Sequence, residues 1–189
     1  MKVLLIDNND SFTFNLLQLL RESGLCETVV IPYDEVTEQV IEKADRIIIS
    51  PGPGIPDDFP NLERWILNFA AQKPFLGICL GLEAIAEAYG ARLIQSGKVF
   101  HGITKSTRIT APDHPIFRGI PLNFRAGLYH SWILDEIHIP DCIEILARAD
   151  DDIIMAIKHK KFNLTGLQFH PESIMTKHGS KMICNWLSE

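Results

Sequence analysis

The sequence has 189 residues, of which 46% are hydrophobic and 22% charged, and its formal net charge is −6. These values are typical of one globular domain, here expected to span 1–189, and the lack of a basic patch argues against a nucleic-acid partner. No run of about 18 apolar residues occurs, which argues against a membrane span. The four cysteines lack the C-x-x-C spacing of zinc sites, so we expect no metal, no other cofactor and a reducing, cytoplasmic environment.

The first half of the chain alternates apolar runs with amphipathic helical patterns. The apolar runs are nearly continuous, as expected of strands that are buried on both faces of a parallel sheet. Strands separated by helices predict a three-layer α/β fold with a mostly parallel central sheet and helices on both faces. The predicted strands are 2–7, 27–33, 46–50 and 75–80, and the predicted helices are 12–23, 36–43, 61–71 and 82–88.

After Gly90 the pattern changes to short β-like runs and turns, which predicts a small antiparallel sheet at the edge of the fold. Two of these runs flank three consecutive aspartates, as in a hairpin. A last core strand and a closing helix complete the chain. The predicted elements are β-like runs at 98–100 and 106–110, hairpin strands at 143–148 and 153–158, a strand at 164–169 and a helix at 174–187.

Cys79 lies where the fourth predicted strand becomes a helix, between Gly77 and Gly81. The pattern G-x-C-x-G is that of a nucleophile elbow with sulfur in place of oxygen. The helix N-terminus behind the cysteine favours a thiolate, and the backbone N–H of Leu80 could contribute to an oxyanion hole. The alternative is a small buried cysteine without a chemical role, which is common for free cysteine.

Distinctive residues follow the carboxyl ends of several predicted strands, where open α/β sheets bind their ligands. A cysteine nucleophile needs a base, and the base needs a group that orients it. Cys79, His170 and Glu172 supply these three types, and Pro171 stiffens the turn so that both later side chains can project to one side. The stretches concerned are 50–54, 79, 129–132 and 170–172.

With these motifs, nearly the whole chain resembles a class I (triad) glutamine amidotransferase, a family with a flavodoxin-like fold. Within this family it is most similar to the small glutaminase subunits of anthranilate synthase and 4-amino-4-deoxychorismate synthase. The resemblance does not distinguish between these two pathways. The stretches that carry it are Leu5-Ile6-Asp7-Asn8-Asn9-Asp10-Ser11-Phe12-Thr13, Ser50-Pro51-Gly52-Pro53-Gly54, Gly77-Ile78-Cys79-Leu80-Gly81, Tyr129-His130-Ser131 and Gln168-Phe169-His170-Pro171-Glu172-Ser173.

The resemblance implies a mechanism for L-glutamine hydrolysis. The Cys79 thiolate attacks the side-chain amide carbon, His170 transfers the proton to the leaving ammonia, and Glu172 orients the imidazole. The backbone N–H groups of Leu80 and Gly52 stabilise the oxyanion. Water then hydrolyses the γ-glutamyl thioester and releases glutamate.

The same resemblance implies where glutamine binds. Gly52, Pro53 and Gly54 let the backbone approach the substrate, and the backbone at Ser131 and Trp132 fixes its main-chain end. Trp132 departs from the leucine that is usual in the family, and its larger ring would narrow the pocket or contact a partner.

Glu83 is the most consequential departure, because the family usually has glutamine there, in contact with substrate. An ionised carboxylate only accepts hydrogen bonds, and its charge should disfavour the Cys79 thiolate. Three interpretations remain open: Glu83 binds the α-ammonium group of glutamine; it is protonated or pulled aside until a partner docks; or the site has lost its glutaminase activity.

We expect a chorismate-binding synthase subunit as the partner, because 189 residues leave no room for a synthase domain. Candidate interface residues are 55–59 and 100–102, if they are exposed near Cys79. Three other functions are a glutaminase-impaired binding or scaffold subunit, a stand-alone γ-glutamyl hydrolase and a flavodoxin-type cofactor binder. The last leaves Cys79, His170 and Glu172 unexplained.

Overall fold

A nine-stranded mixed sheet forms the centre of the structure, a computed structural model that describes residues 1–189. The strands are β1 (Lys2–Asp7), β2 (Glu27–Pro32), β3 (Arg46–Ile49), β4 (Phe75–Ile78), β5 (Leu93–Gln95), β6 (Ile103–Ile109), β7 (Asn123–Leu128), β8 (Trp132–Leu134), β9 (Ile143–Ala149), β10 (Ile154–His159) and β11 (Leu164–Leu167). The α-helices are α1 (Thr13–Ser23), α2 (Glu38–Lys43), α3 (Asn61–Phe69), α4 (Leu80–Glu87) and α5 (Gly179–Leu187). Short 3₁₀ helices cover Tyr33–Glu35, Pro56–Asp58, Pro115–Phe117 and Glu136–His138.

The strand order of the main sheet is β2-β1-β3-β4-β11-β10-β9-β6-β7. Neighbours from β2 to β11 pair in parallel, whereas β10, β9, β6 and β7 continue the sheet in antiparallel fashion. Strands β5 and β8 form a separate antiparallel pair. The predicted α/β fold and small antiparallel sheet are therefore confirmed, and most of the antiparallel strands extend the main sheet itself.

The core lies on both faces of the sheet, because successive strand residues point to opposite sides. In β1, Val3 and Leu5 pack in the cluster that contains α1 and α5, whereas Leu4 and Ile6 pack in the cluster that contains α3 and α4. Each such fully buried side chain contributes about 1.5–3 kcal/mol of transfer free energy. None of the helices is long and apolar enough to cross a bilayer.

The closing helix begins later than predicted. Residues 174–178 form turns, in which the N–H of Thr176 donates to Ser173 O and the N–H of Gly179 donates to Thr176 O, and the helix starts only at Gly179. A Cβ at Gly179 would overlap the backbone of Pro171, so the turn and the helix start are closely packed. This arrangement leaves Ile174 99% exposed.

The predicted β-like run at 98–100 is also wrong, because these residues form no ladder. Phe100 is nevertheless buried beside the ring of His130, at 5.1 Å between centroids. Its apolar character reflects packing against the fold rather than strand formation.

Candidate active site

The carboxyl ends of the parallel strands bring four polar residues to one edge of the sheet. Asn8 follows β1, Ser50 follows β3, Cys79 follows β4 and Gln168 follows β11. Asn8 ties two of these ends together, because its backbone N–H donates to Ser50 Oγ and its Nδ2 donates to Ser50 O, both at 2.9 Å. The loop that begins at Ser50 is thereby held beside β1.

Cys79 adopts a backbone conformation that is rare for a residue with a side chain, with φ 53° and ψ −105°. Such strain persists only where the surroundings fix it. Here the N–H of Cys79 donates to Leu167 O at 2.7 Å, and Cys79 O accepts from the N–H of Glu83 at 3.1 Å. The predicted nucleophile elbow is thus present between β4 and α4.

Gly77 and Gly81 are required by close approach of the backbone. A Cβ at Gly77 would overlap the carbonyl of Gly81, and a Cβ at Gly81 would lie 2.5 Å from Ile49 O. Because glycine has no Cβ at these two positions, the first turn of α4 packs directly on β3 and β4.

The Cys79 thiol is buried, and burial is the main reason why its pKa lies well above the usual value. The negative charges of Glu83, Glu172 and Asp10 raise the pKa further, whereas the backbone N–H of Leu80 lowers it. The predicted repulsion from Glu83 is therefore present, and burial outweighs the expected effect of the helix N-terminus. The resting thiol is protonated, so its activation needs a base.

His170 and Glu172 form a buried pair, with 2.6 Å between Nδ1 and Oε1. The backbone of His170 is held by a hydrogen bond from its N–H to Gly127 O at 3.0 Å, and its carbonyl accepts from Thr176 Oγ1 at 2.7 Å. The carboxylate keeps a proton on Nδ1, which leaves Nε2 as the acceptor. Nε2 is buried and has no hydrogen-bond partner in the resting structure.

Two aromatic rings enclose the imidazole of His170. The centroid of Phe12 lies 5.0 Å away and that of Tyr129 4.9 Å away, both in edge-on geometry, and the two aromatic rings are 4.6 Å apart. This aromatic enclosure limits rotation of the imidazole and shields it from water.

A cavity of about 150 Å³ opens beside Cys79. Larger clefts occur elsewhere, such as one of about 300 Å³ beside Asp57 and Glu87, but this cavity is the one that Cys79 lines, so chemistry rather than size singles it out. Its lining residues come from the loop after β3, from the elbow and from the segment after β7. They are Gly52, Pro53, Gly54, Cys79, Glu83, Tyr129, His130, Ser131 and Trp132.

The structure therefore brings together all ten residues that the sequence singled out. Seven line the cavity, namely Gly52, Pro53, Gly54, Cys79, Glu83, Ser131 and Trp132. The other three are buried close by: Leu80 directly follows Cys79 and its N–H lowers the pKa of that thiol, and His170 and Glu172 follow β11, the neighbour of β4.

Sequence reasoning gave no role to Tyr129, His130 or Gln168, which also belong to this site. His130 Nδ1 lies 2.8 Å from Trp132 O, and burial lowers the pKa of the imidazole to about 4, so the ring is neutral and donates its proton to that carbonyl. The position of each residue directly after a strand was the available signal.

Glu83 is the unusual group of the cavity wall. Its side chain is buried and accepts a hydrogen bond from Gln168 Nε2 at 2.9 Å. Burial raises the pKa of the Glu83 carboxyl to about 7, against the opposing effect of the Gln168 hydrogen bond, and Glu87 raises it slightly more. Both protonation states are consequently populated near neutral pH.

The model of the class-I glutamine amidotransferase family matches residues 4–189. The chain belongs to this family, and the prediction of a glutamine amidotransferase is confirmed. An anthranilate synthase component 2 from Lactococcus lactis is 43% identical, with 99% of this chain and 94% of that protein covered. An aminodeoxychorismate synthase component 2 from Klebsiella aerogenes is 40% identical, with 98% of this chain and 99% of that protein covered.

The fold is also similar to that of a glutamine amidotransferase from Thermotoga maritima, whose crystal structure aligns with a TM-score of 0.75. The alignment covers 100% of this chain and 81% of that one at 19% identity, so the likeness concerns the fold alone.

Proposed function

We propose that this chain is the glutaminase subunit of a chorismate-using synthase, and that it hydrolyses L-glutamine to glutamate and ammonia. The observation that carries the proposal is the strained, buried Cys79 at the elbow beside a buried His170–Glu172 pair. The names of the two relatives, each a component 2 of a synthase, support the partner and leave open which aromatic product is made.

In the proposed reaction, His170 Nε2 takes the proton of the Cys79 thiol as sulfur attacks the amide carbon of glutamine. The unpartnered state of Nε2 supports this role, because its lone pair is free to accept. Glu172 stabilises the imidazolium that forms. The tetrahedral intermediate then collapses, and His170 returns the proton to the leaving ammonia.

The backbone N–H groups of Leu80 and Gly52 would hold the oxyanion of the tetrahedral intermediate. The loop of Gly52 packs against Leu80, since a Cβ on Gly52 would come within 2.6 Å of Leu80 Cδ2. Removal of one such donor typically costs about 2.7–4 kcal/mol of barrier. A water activated by His170 then hydrolyses the thioester, releases glutamate and returns the thiol.

Glutamine would lie in the cavity between the loop of Gly52–Gly54 and the segment of Ser131–Trp132. The carboxyl of Glu83 is in the wall of the same cavity, where its ionised form would accept a hydrogen bond from the α-ammonium group of the substrate. An arriving cation would itself favour the ionised form.

Ammonia delivery would need a partner at the mouth of the site. In the segments 55–59 and 100–102, Phe59 and Phe100 are each only 6% exposed, so Asp57, Asp58 and His101 form most of the surface that these segments offer. Exposed apolar side chains next to the His170–Glu172 turn are better candidates, namely Ile174 at 99% and Met175 at 36% exposure. The Met175 sulfur lies 3.7 Å from the hydroxyl of Tyr129, which lines the cavity.

A second candidate is a subunit that binds the synthase without supplying ammonia. It is favoured by one observation: the charge of Glu83 raises the pKa of the Cys79 thiol beyond the effect of burial.

Product identification distinguishes the two functions. The chain is mixed with the chorismate-binding subunit of the same organism, chorismate, Mg²⁺ for that subunit and glutamine, and the aromatic product is identified by mass. We expect anthranilate or aminodeoxychorismate from glutamine, with synthesis lost in Cys79→Ser but retained in Cys184→Ser. Product from free ammonia but none from glutamine would refute the glutaminase and support the binding subunit.

A further inference from the structure

Gln168 is a fully buried carboxamide whose nitrogen faces two groups of the site. Nε2 donates to Glu83 Oε1 at 2.9 Å and lies 3.8 Å from Cys79 Sγ, within hydrogen-bonding range for sulfur. A carboxamide nitrogen carries two protons, so one can serve the carboxylate while the other points to the sulfur.

The contact with Glu83 fixes which end of the carboxamide faces the nucleophile. When Glu83 is ionised, its carboxylate only accepts hydrogen bonds, so it selects the nitrogen of Gln168 rather than the oxygen. The oxygen, Oε1, is buried without a partner, so no second hydrogen bond anchors the amide through that end. Glu83 thus orients the amide, and the second N–H is directed to Cys79.

The backbone around Gln168 is held as firmly as its side chain. Its own N–H donates to Met155 O at 2.9 Å, and the carbonyl of the preceding residue, Leu167, accepts from the N–H of Cys79 at 2.7 Å. The end of β11 therefore positions both the backbone of the nucleophile and the donor that faces its sulfur.

The sulfur needs such a donor because its surroundings are acidic. The negative charges of Glu83, Glu172 and Asp10 raise the pKa of the Cys79 thiol, and the charge of Glu87 raises the pKa of Glu83. The backbone N–H of Leu80 is the other donor that favours the thiolate. Gln168 contacts both the sulfur and Glu83, the carboxylate whose charge raises the pKa of the thiol most, so it can offset their repulsion.

We propose that Gln168 is a positioning residue that holds the Glu83 carboxyl in the cavity wall and supplies an N–H donor to the Cys79 thiolate. The proposal rests on the proposed glutaminase function for its biological meaning. It concerns the reactivity of a thiol, however, which can be measured without any turnover of glutamine.

The test is the alkylation rate of Cys79 by iodoacetamide as a function of pH, measured on the full chain by mass analysis of the Cys79 peptide. Gln168→Met keeps the length of the side chain but removes the N–H donor. We expect the midpoint of the reactivity profile to move about one unit to higher pH, which is about tenfold slower alkylation below the midpoint. Glutamine turnover should lose kcat with a smaller change in KM.

Two further variants separate positioning from packing. Thr165→Val alters a buried residue of the same strand and should leave the profile unchanged. In a Glu83→Gln background the amide is no longer oriented by a carboxylate, so Gln168→Met should slow alkylation less than in the natural chain, a non-additivity typical of contacting groups. If Gln168→Met does not fold, Gln168→Asn replaces it; its carboxamide is too short to reach both partners, so a displacement in the same direction is expected.

An unchanged alkylation profile in a folded Gln168 variant would overturn the proposal, as would an equal change in Thr165→Val. A displaced profile in a chain that never hydrolyses glutamine, even with its partner, would refute the proposed function and leave the role of Gln168 standing.

Discussion

The two halves of the main sheet contribute to the site in different ways. The parallel half supplies the proposed reacting groups, because the carboxyl ends of its strands meet at one edge; the inner strands β3 and β4 have no exposed residue, whereas the edge strand β2 has no buried one. The antiparallel half combines the buried strand β10 with the more exposed edge strand β7, and the segment after β7 supplies the wall of Tyr129–Trp132. The residues proposed for the chemical step thus follow strands of the parallel half, whereas the antiparallel half shapes the cavity proposed for the substrate.

Loss of the carboxylate behind His170 should give the largest effect. Glu172→Gln keeps the shape of the pair but no longer stabilises the imidazolium, so kcat for glutamine should fall by on the order of 10³–10⁴-fold with little change in KM. Steady-state glutamate release measures this. A fall of less than tenfold would remove Glu172 from the proposed mechanism, and Glu144→Gln, on the exposed side of the hairpin, serves as the control.

Protonation of Glu83 should make the stability of the parallel half depend on pH. Its carboxyl pKa is raised from 4.5 to about 7 in the folded chain, so the folded state binds the proton more tightly than the unfolded state. The resulting stabilisation is complete below pH 4.5 and is lost as pH rises to about 7. Its upper limit is about 3 kcal/mol.

Urea unfolding at pH 5 and pH 8 tests this dependence. Glu83→Gln has no carboxyl to titrate at this position. From pH 5 to pH 8, the natural chain should therefore lose more unfolding free energy than this variant does. Equal shifts with pH in both chains would mean that the carboxyl is not held in its protonated form.

Glycine replacements compare the rigidity of the two halves. Gly81→Ala brings a Cβ to 2.5 Å from Ile49 O, which is backbone and cannot yield, so a loss of about 1–3 kcal/mol is expected. In Gly127→Ala on β7, the new Cβ meets Met175 Cβ and Ser173 Oγ at 3.0 Å, a milder clash that smaller shifts relieve, so its loss should be smaller. Thermal unfolding of both variants gives the order, and a reversed order would contradict the comparison.

Truncation of the antiparallel wall should have the smallest effect on the chemical step. Trp132→Leu widens the cavity away from Cys79, so KM for glutamine should change by up to about tenfold while kcat stays within about twofold. Trp132→Phe should lie between the two. A large loss of kcat in Trp132→Leu would assign this ring to the chemical step. It would contradict the proposal that the antiparallel half shapes only the substrate cavity.

The sequence predicted the parallel half well, because strands buried on both faces leave a continuous apolar run, as in Lys2–Asp7. The elbow was predictable from Gly77, Cys79 and Gly81, whose spacing follows from local geometry. The closing helix was placed too early, since its apolar residues do not reveal that the turn before Gly179 packs on Pro171.

The contacts made by side chains from distant parts of the chain were beyond sequence reasoning. Phe12 and Tyr129 enclose His170 from two separate loops, and no local pattern connects them. The same holds for Gln168, whose simultaneous contacts with Glu83 and Cys79 depend on a buried rotamer. The proposed reacting groups were thus readable from their motifs, whereas the groups proposed to position them were not.

Affinity labelling shows whether Cys79 is the nucleophile of a glutamine-binding cavity. The chain, with and without its synthase partner, is treated with a glutamine-like electrophile, and the modified residue is identified by peptide mass. We expect modification at Cys79 that excess glutamine prevents and that His170→Ala slows. Cys26, Cys142 and Cys184 should stay unmodified. An unmodified Cys79, or labelling that glutamine does not prevent, would contradict the proposed role of Cys79.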